Sequence, residues 1–139
     1  MSEHPCSYCF PQNESVIWKN EKCRVLLVND SAFTGWCRVV WQKHQSELSE
    51  LTADERNHII QVVAEVERMI INAMQPAKMN LASLGTGLPH LHWHIIPRYR
   101  DDSHFPEAIW GTALREGEVR ALPDTFTADM SQHLDRVFG

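Results

Sequence analysis

The sequence predicts an α+β fold in which a five-stranded antiparallel sheet is covered on one face by a single long helix. Five short runs are rich in apolar and β-branched residues, which favours strands. One longer segment repeats its apolar residues at helical spacing and lies between the third and fourth strands. A second helix is predicted near the C-terminal end. The length of 139 residues is that of one domain, so we expect 1–139 to form a single domain.

Three of the predicted strands precede the long helix and two follow it. The first two strands flank residues 20–22 (Asn-Glu-Lys), which suit a short hairpin turn even without the usual glycine. The last two strands flank the glycine-rich residues 85–87. The predicted strands are residues 15–19, 23–29, 36–42, 78–84 and 91–99.

Sequence signals for both helices are clear at their ends and along their apolar faces. Thr52 and Glu55 form a predicted capping box at the start of the long helix, and Pro76 ends it. The C-terminal helix is predicted to begin at Asp124 or Thr125. The apolar face consists of Ile59, Val62, Val63, Val66, Met69, Ile70 and Ala73 in the long helix, and of Phe126, Met130, Leu134 and Val137 in the C-terminal helix.

Composition and charge exclude several classes of partner. The formal net charge is −5, and the 13 basic residues are scattered, which argues against a nucleic-acid-binding surface. No apolar run approaches the roughly 20 residues that a membrane-spanning helix needs. The N-terminal residues lack the basic and then apolar layout of a signal peptide. We therefore expect a cytoplasmic protein with no membrane or nucleic-acid partner.

The tryptophans divide between the predicted core and its edges. We expect Trp36, Trp41 and Trp93 to fill the space between sheet and helix, whereas Trp18 should be partly exposed. Trp110 lies in a polar, irregular segment after the last strand. That position suits either the rim of a binding site or a packing contact.

Three histidines alternate with apolar residues in the last predicted strand. Because side chains in a strand alternate between faces, His90, His92 and His94 should share one face of the sheet. Three interpretations are open: polar residues on an open face, ligands of a catalytic metal, or an imidazole nucleophile assisted by its neighbours. A neutral imidazole is a good nucleophile near pH 7 because its ordinary pKa is about 6.5.

The sequence His90-Leu-His92-Trp-His94-Ile-Ile resembles the signature of the histidine triad family of nucleotide hydrolases and transferases. The resemblance covers about residues 4–112, whereas the C-terminal extension and helix at 113–139 lie outside it. Further segments that are similar to the family are Cys6-Ser-Tyr-Cys9, Val28-Asn29-Asp30, residues 39–44, Phe105-Pro106 and Ile109-Trp110-Gly111.

This resemblance implies a role for each histidine. His92 would attack the α-phosphorus of a nucleotide and form a nucleotidyl-imidazole intermediate, which water then cleaves. His90 would orient His92, in part through its backbone carbonyl. His94 would donate to a phosphate oxygen or to the leaving group. The implied substrate is a nucleoside monophosphate bearing a leaving group through a phosphoanhydride or phosphoramidate bond, and the chemistry needs no cofactor.

The resemblance also implies substrate-binding residues. Asp30 matches the acid that binds the ribose hydroxyls, although an aspartate is also common in such a turn. Asn80 is similar to a phosphate-contacting asparagine, one residue closer to the triad than is usual. Gly85, Thr86 and Gly87 match the phosphate-binding loop, but Gly87 stands where many members carry a hydroxyl. Trp110 would line the entrance to the site.

Two further expectations rest on the resemblance. Cys6, Cys9, His44 and His90 match the structural zinc site of some members, a closed Cys₂His₂ set; reduced thiols or a redox dithiol are the alternatives. Family members also pair through the long helix and an adjacent sheet edge, and Ile60 and Ile71 lie outside the main apolar face of that helix. We therefore expect a homodimer.

Two other functions stay open at this point. The triad would be the ligand set in a zinc-dependent hydrolase, whose activity a chelator would remove. A nucleotide-binding module with little catalysis is the other alternative, and the altered residues 85–87 are its support in the sequence.

Overall fold

The computed structural model describes residues 6–139, so residues 4 and 5 of the predicted core lie outside the described part. It confirms the predicted fold class. Five strands form one antiparallel sheet in the order β1-β2-β3-β5-β4. Two single 3₁₀ turns, Ser31–Phe33 and Leu48–Glu50, lie in the connections. The main elements are β1 (Ser15–Lys19), β2 (Cys23–Leu27), β3 (Cys37–Trp41), α1 (Ala53–Met74), β4 (Lys78–Ala82), β5 (His92–Arg98) and α2 (Phe126–Phe138).

Helix α1 begins and ends as the sequence predicts. The Thr52 hydroxyl accepts from the Glu55 N–H at 3.2 Å, and the Thr52 N–H donates to the Glu55 carboxylate at 2.8 Å. Gln75 follows the helix with a left-handed φ of 50°, and Pro76 prevents a further turn. The helix packs its apolar face against the sheet through the buried residues Ile59, Val62, Val63, Val66 and Ile70.

Strand β5 separates the core from the opposite face of the sheet. Ile95 is buried beneath α1, and Leu91, just before the strand, reaches the same core. His92 and His94 have the opposite parity and lie on the other face. The strand pairs with β3 on one side and with the edge strand β4 on the other, so His92 and His94 lie on an inner strand of the sheet.

Two expectations about tryptophans are wrong. Trp36 does not lie between the sheet and α1; it packs with Phe33 and Ile96 on the opposite face. The reason is parity, because Trp36 and Trp41 are five residues apart on one strand path and must face opposite sides. Trp18 is buried rather than partly exposed. An irregularity in β1 after Val16 turns it toward the core.

Helix α2 covers the β1 side of the core. The Trp18 indole donates to the Asp135 carboxylate at 2.8 Å, and its ring contacts Phe138. Phe126, Met130 and Leu134 are buried as predicted. Val137 is exposed, contrary to expectation, because Phe138 takes its place against the core. In the described part of the chain, neither helix combines the length and the hydrophobicity that crossing a bilayer requires.

Candidate functional site

The three histidines form one buried row beneath loop residues. The rings of His92 and His94 lie in edge-to-face contact, with their centroids 5.0 Å apart. All three side chains are buried, with His90 lying just before β5 begins. The three histidines therefore lie on one face of the sheet, as the alternation in the sequence predicts. Loops cover that face in the structure.

The orientation of His92 is fixed by the backbone of His90. His92 Nδ1 lies 2.7 Å from the His90 carbonyl oxygen, which accepts a hydrogen bond only from a protonated nitrogen. In the neutral ring, Nε2 of His92 therefore carries an unshared electron pair. The Ser83 hydroxyl donates to the His92 carbonyl at 2.9 Å and holds the backbone at this point.

His94 takes the opposite tautomer. The Trp36 indole N–H donates to His94 Nδ1 at 3.3 Å, so in the neutral ring the proton of His94 lies on Nε2. The Trp110 ring contacts the other side, with its centroid 5.1 Å from that of His94. Adjacent histidines thus offer an electron pair at His92 and a hydrogen-bond donor at His94, which suits attack on phosphorus and a hydrogen bond to a leaving group.

Burial keeps the triad neutral near pH 7. Loss of solvent lowers the pKa of His92, and the charge of Arg38 lowers it further against the opposing effect of the bond to His90. Burial, followed by His92 and Arg38, lowers the pKa of His94 to about 4. An unprotonated imidazole is the form in which Nε2 of His92 can attack.

Aromatic side chains and a close turn line the site. Tyr8 is buried against the triad, its ring centroid 5.0 Å from that of His92 and 5.6 Å from that of His90. Gly85 has a φ of 111°, and a Cβ there would lie 3.6 Å from His92 Cε1 and 2.8 Å from the Leu88 carbonyl oxygen. A side chain at residue 85 would therefore strain the turn beside the imidazole.

The other predicted substrate-binding residues occupy different surroundings. Asp30 caps the turn of residues 31–33, where its carboxylate accepts from the Ala32 N–H at 2.9 Å. The side-chain oxygen of Asn80 accepts from Arg98 at 2.8 Å. Thr86 and Gly87 are exposed, and a Cβ at Gly87 would meet nothing within 4 Å. Trp110 is half exposed beside His94.

The predicted metal ligands converge. The ligand atoms of Cys6, Cys9, His44 and His90 all lie within 4.8 Å of one another. His90 Nδ1 lies 3.3 Å from Cys6 Sγ, 3.5 Å from Cys9 Sγ and 3.2 Å from His44 Nδ1. These separations fit the edges of a tetrahedron with metal bonds of about 2.0–2.3 Å. Two thiols and two imidazoles are the donor set of a closed structural zinc site.

His90 connects this cluster to the triad. Its Nε2 donates to the Trp41 carbonyl, so Nδ1 carries the electron pair that faces the cluster. Its backbone carbonyl holds His92 at the same time. One residue therefore joins the N-terminal segment, the end of β3 and the imidazole of His92.

Several residues of the site were not foreseen from the sequence. Tyr8, Trp36, Arg38 and Ser83 contact the triad or its immediate neighbours. For Trp36 and Arg38 the alternation of β3 was the available signal, since both have the parity of Val40, which faces the triad side. Tyr8 carried no such signal, because it lies in a loop.

The chain belongs to the histidine triad family. The family model for the HIT domain matches residues 11–101, which is more than half of the chain. A histidine triad protein from Sinorhizobium meliloti is 26% identical with a TM-score of 0.69, over 85% of this chain and 87% of that one. One from Marinobacter aquaeolei is 24% identical with a TM-score of 0.72, over 89% and 90%, and shares the fold.

A curated relative also matches part of the chain. It is an AP-4-A phosphorylase from Mycobacterium tuberculosis, 32% identical over 84 residues. The match covers 56% of this chain and 43% of that protein, so the chain spans less than half the length of the curated relatives it matches.

The pKa of His94 predicts how stability depends on pH. Its folded value of about 4 lies below the ordinary 6.5, so between these pH values the unfolded chain binds a proton that the folded chain does not. The free energy of unfolding should therefore fall as pH is lowered through this window, and less steeply in His94→Gln. Urea unfolding at a series of pH values measures both slopes. Equal slopes, or an NMR titration of His94 with a midpoint near 6.5, would contradict the assignment.

Proposed function

We propose that this protein is a nucleotidyl hydrolase or transferase that uses His92 as its nucleophile. The observation that carries the proposal is the 2.7 Å contact of His92 Nδ1 with the His90 carbonyl oxygen, which assigns the proton of the neutral ring to Nδ1 and an electron pair to Nε2. His92 Nε2 attacks the α-phosphorus, and an N–P bond forms as the bond to the leaving group breaks. His94 Nε2–H donates a hydrogen bond to the departing atom, which takes its proton from solvent. Water then attacks the phosphorus, the N–P bond breaks, one proton of the water passes to solvent, and the nucleoside monophosphate is released.

The proposed substrate is a nucleoside monophosphate joined to its leaving group by a phosphoanhydride or phosphoramidate bond. The partial match to an AP-4-A phosphorylase supports a nucleotide substrate. Asp30 is the proposed ribose ligand, since the carboxylate oxygen that does not cap the turn can accept from hydroxyl groups. Asn80 and the backbone of residues 85–87 are proposed to bind phosphate oxygens, and Trp110 to border the entrance.

The zinc-dependent hydrolase is the second candidate, and the hydrogen bonds favour the nucleophile over it. In His92 and His94 the Nδ1 atoms are engaged by His90 and Trp36. The four-residue cluster of Cys6, Cys9, His44 and His90 contains only one histidine of the triad, which is His90. A nucleotide-binding module with little catalysis would keep the same contacts, and turnover separates it from an enzyme.

We also propose that the cluster of Cys6, Cys9, His44 and His90 holds a structural zinc ion. When bound, zinc would tie the N-terminal segment to the end of β3 and would fix the ring of His90. The donation from His90 Nε2 to Trp41 supports this assignment, because it leaves Nδ1 as the ligand atom. The reaction itself would proceed on the imidazoles alone.

The remaining proposals concern assembly and location. We propose one domain over 1–139, a cytoplasmic location and a homodimer. Ile60, Ile71 and Leu81 are each at least 40% exposed, and β4 is an edge strand, so a second copy would cover apolar surface along α1 and β4. Sedimentation equilibrium should give about twice the 16.0 kDa of one chain, and a mass of one chain at micromolar concentration would contradict the dimer.

Replacing His92 tests the nucleophile. In His92→Asn, release of nucleoside monophosphate from phosphoramidates and dinucleoside polyphosphates should fall at least about 1000-fold, because no other atom can form the covalent intermediate. His133→Asn, a change of the same type on α2, should keep wild-type rates. Rapid quenching and mass spectrometry should find the nucleotide on His92 of the wild type. A nucleotide trapped on another residue would overturn the assignment.

Metal analysis tests the zinc proposal separately. Protein purified without chelator should contain about one zinc per chain, and His44→Asn should lose most of it, whereas His133→Asn should not. Zinc removal should lower the thermal midpoint because the site links distant segments. Turnover should persist in protein that stays folded after chelation. Clearly substoichiometric zinc that does not rise when zinc is added would leave Cys6 and Cys9 as ordinary thiols, and loss of turnover restored by metal would favour the zinc-dependent hydrolase.

A further inference from the structure

Arg38 is a cation at the edge of the triad that has no carboxylate partner among residues 6–139. It lies in β3 directly opposite His94 in the β3–β5 register. Two other arginines on this face of the sheet are paired: Arg24 with Glu14 and Arg98 with Asp102, each at 2.9 Å. Arg38 instead has its guanidinium over the Trp36 ring, 5.3 Å from the centroid.

One nitrogen of Arg38 also lacks an acceptor. Its Nε atom is buried, and no hydrogen-bond partner for it occurs within the described residues. A buried donor without an acceptor is unfavourable, so such an atom is expected to be paired in the functional state. Trp93 Nε1 and Arg120 Nη1 are the other buried side-chain nitrogens without a partner among the described residues, and of the three residues Arg38 is the one that lines a cavity beside the triad.

Arg38 lines a cavity beside the triad. The cavity has a volume of about 330 Å³ and is polar for most of its wall. Its lining includes Tyr8, whose ring contacts that of His92, and Asn29, which directly precedes Asp30, the proposed ribose ligand. A nucleotide with its phosphate at His92 and its ribose at Asp30 would have this cavity available for its base. The other polar residues of the lining are Ser7, Gln12, Asn13, Glu14 and Ser15.

We propose that this cavity binds the nucleobase and that Arg38 selects a 6-oxopurine, such as guanine, over adenine. The inference rests on the proposed function and adds a base preference to it. Guanine and hypoxanthine present two acceptors, O6 and N7, on one edge, and an arginine guanidinium donates to both. Adenine presents an amino group in place of O6, so two donors would face each other.

Other residues of the cavity lining support the same choice. A 6-oxopurine carries an N1–H donor next to O6, and guanine adds an amino group. Gln12 and Asn13 line the cavity, and the oxygen of an amide side chain can accept from such donors. Glu14 also lines the cavity, although Arg24 already binds both of its carboxylate oxygens.

Base selection is tested by binding and by turnover. Binding of guanosine, inosine and adenosine monophosphates is measured by calorimetry on the otherwise unchanged His92→Asn protein. Turnover is measured on guanosine and adenosine phosphoramidates with His92 present. The 6-oxopurine nucleotides should be favoured by about tenfold or more. Arg38→Met should remove that preference by weakening 6-oxopurine binding while adenosine monophosphate binding stays within about twofold.

Two further variants show whether the paired donors of Arg38 cause the base preference. Arg38→Lys, which keeps the charge but not the paired donors, should restore only part of the preference. Arg136→Met, an exposed arginine on α2, should leave it unchanged. No base preference in the parent protein would overturn the inference, as would an equal loss of all nucleotides in Arg38→Met, which would assign Arg38 to the phosphate. Selective 6-oxopurine binding without turnover would contradict the proposed function and leave the inference standing.

Discussion

The hydrogen bond from His92 Nδ1 to the backbone carbonyl of His90 is the interaction on which the candidate site depends. It decides which nitrogen of His92 has an electron pair and where that nitrogen points. That carbonyl belongs to the chain just before β5. The ring of His90 is held by its hydrogen bond to the Trp41 carbonyl and by the cluster of Cys6, Cys9 and His44. Distant parts of the chain therefore act on one imidazole through backbone geometry.

The sheet makes this arrangement compatible with a stable core. Strand β5 sends Ile95 into the apolar layer beneath α1 and His92 to the other face. The core face is closed by α1 and α2, so the opposite face is free to carry polar groups. Loops supply Tyr8 and Trp110 as its cover, and their burial of the imidazoles keeps the triad uncharged near neutral pH. The side chains of β5 that pack in the core are therefore different from those that form the candidate site.

The parts of the structure that follow local rules were predictable from sequence. The capping box at Thr52, the stop at Pro76 and the shared face of the histidines depend on residues close together in the chain. Contacts between distant segments were not predictable in the same way. The burial of Trp18 needs both an irregularity in β1 and the docking of α2, and Arg38 becomes notable only when its lack of a partner is seen in three dimensions.

The central claim is that His92 is held in one tautomer, with its proton on Nδ1 and an electron pair on Nε2. Long-range ¹H–¹⁵N NMR of the histidine side chains at pH 7 measures this directly, because protonated and unprotonated ring nitrogens have well-separated ¹⁵N shifts. We expect a protonated Nδ1 and an unprotonated Nε2 for His92, with the reverse for His94. A His92 ring protonated on Nε2, or on both nitrogens, would contradict it.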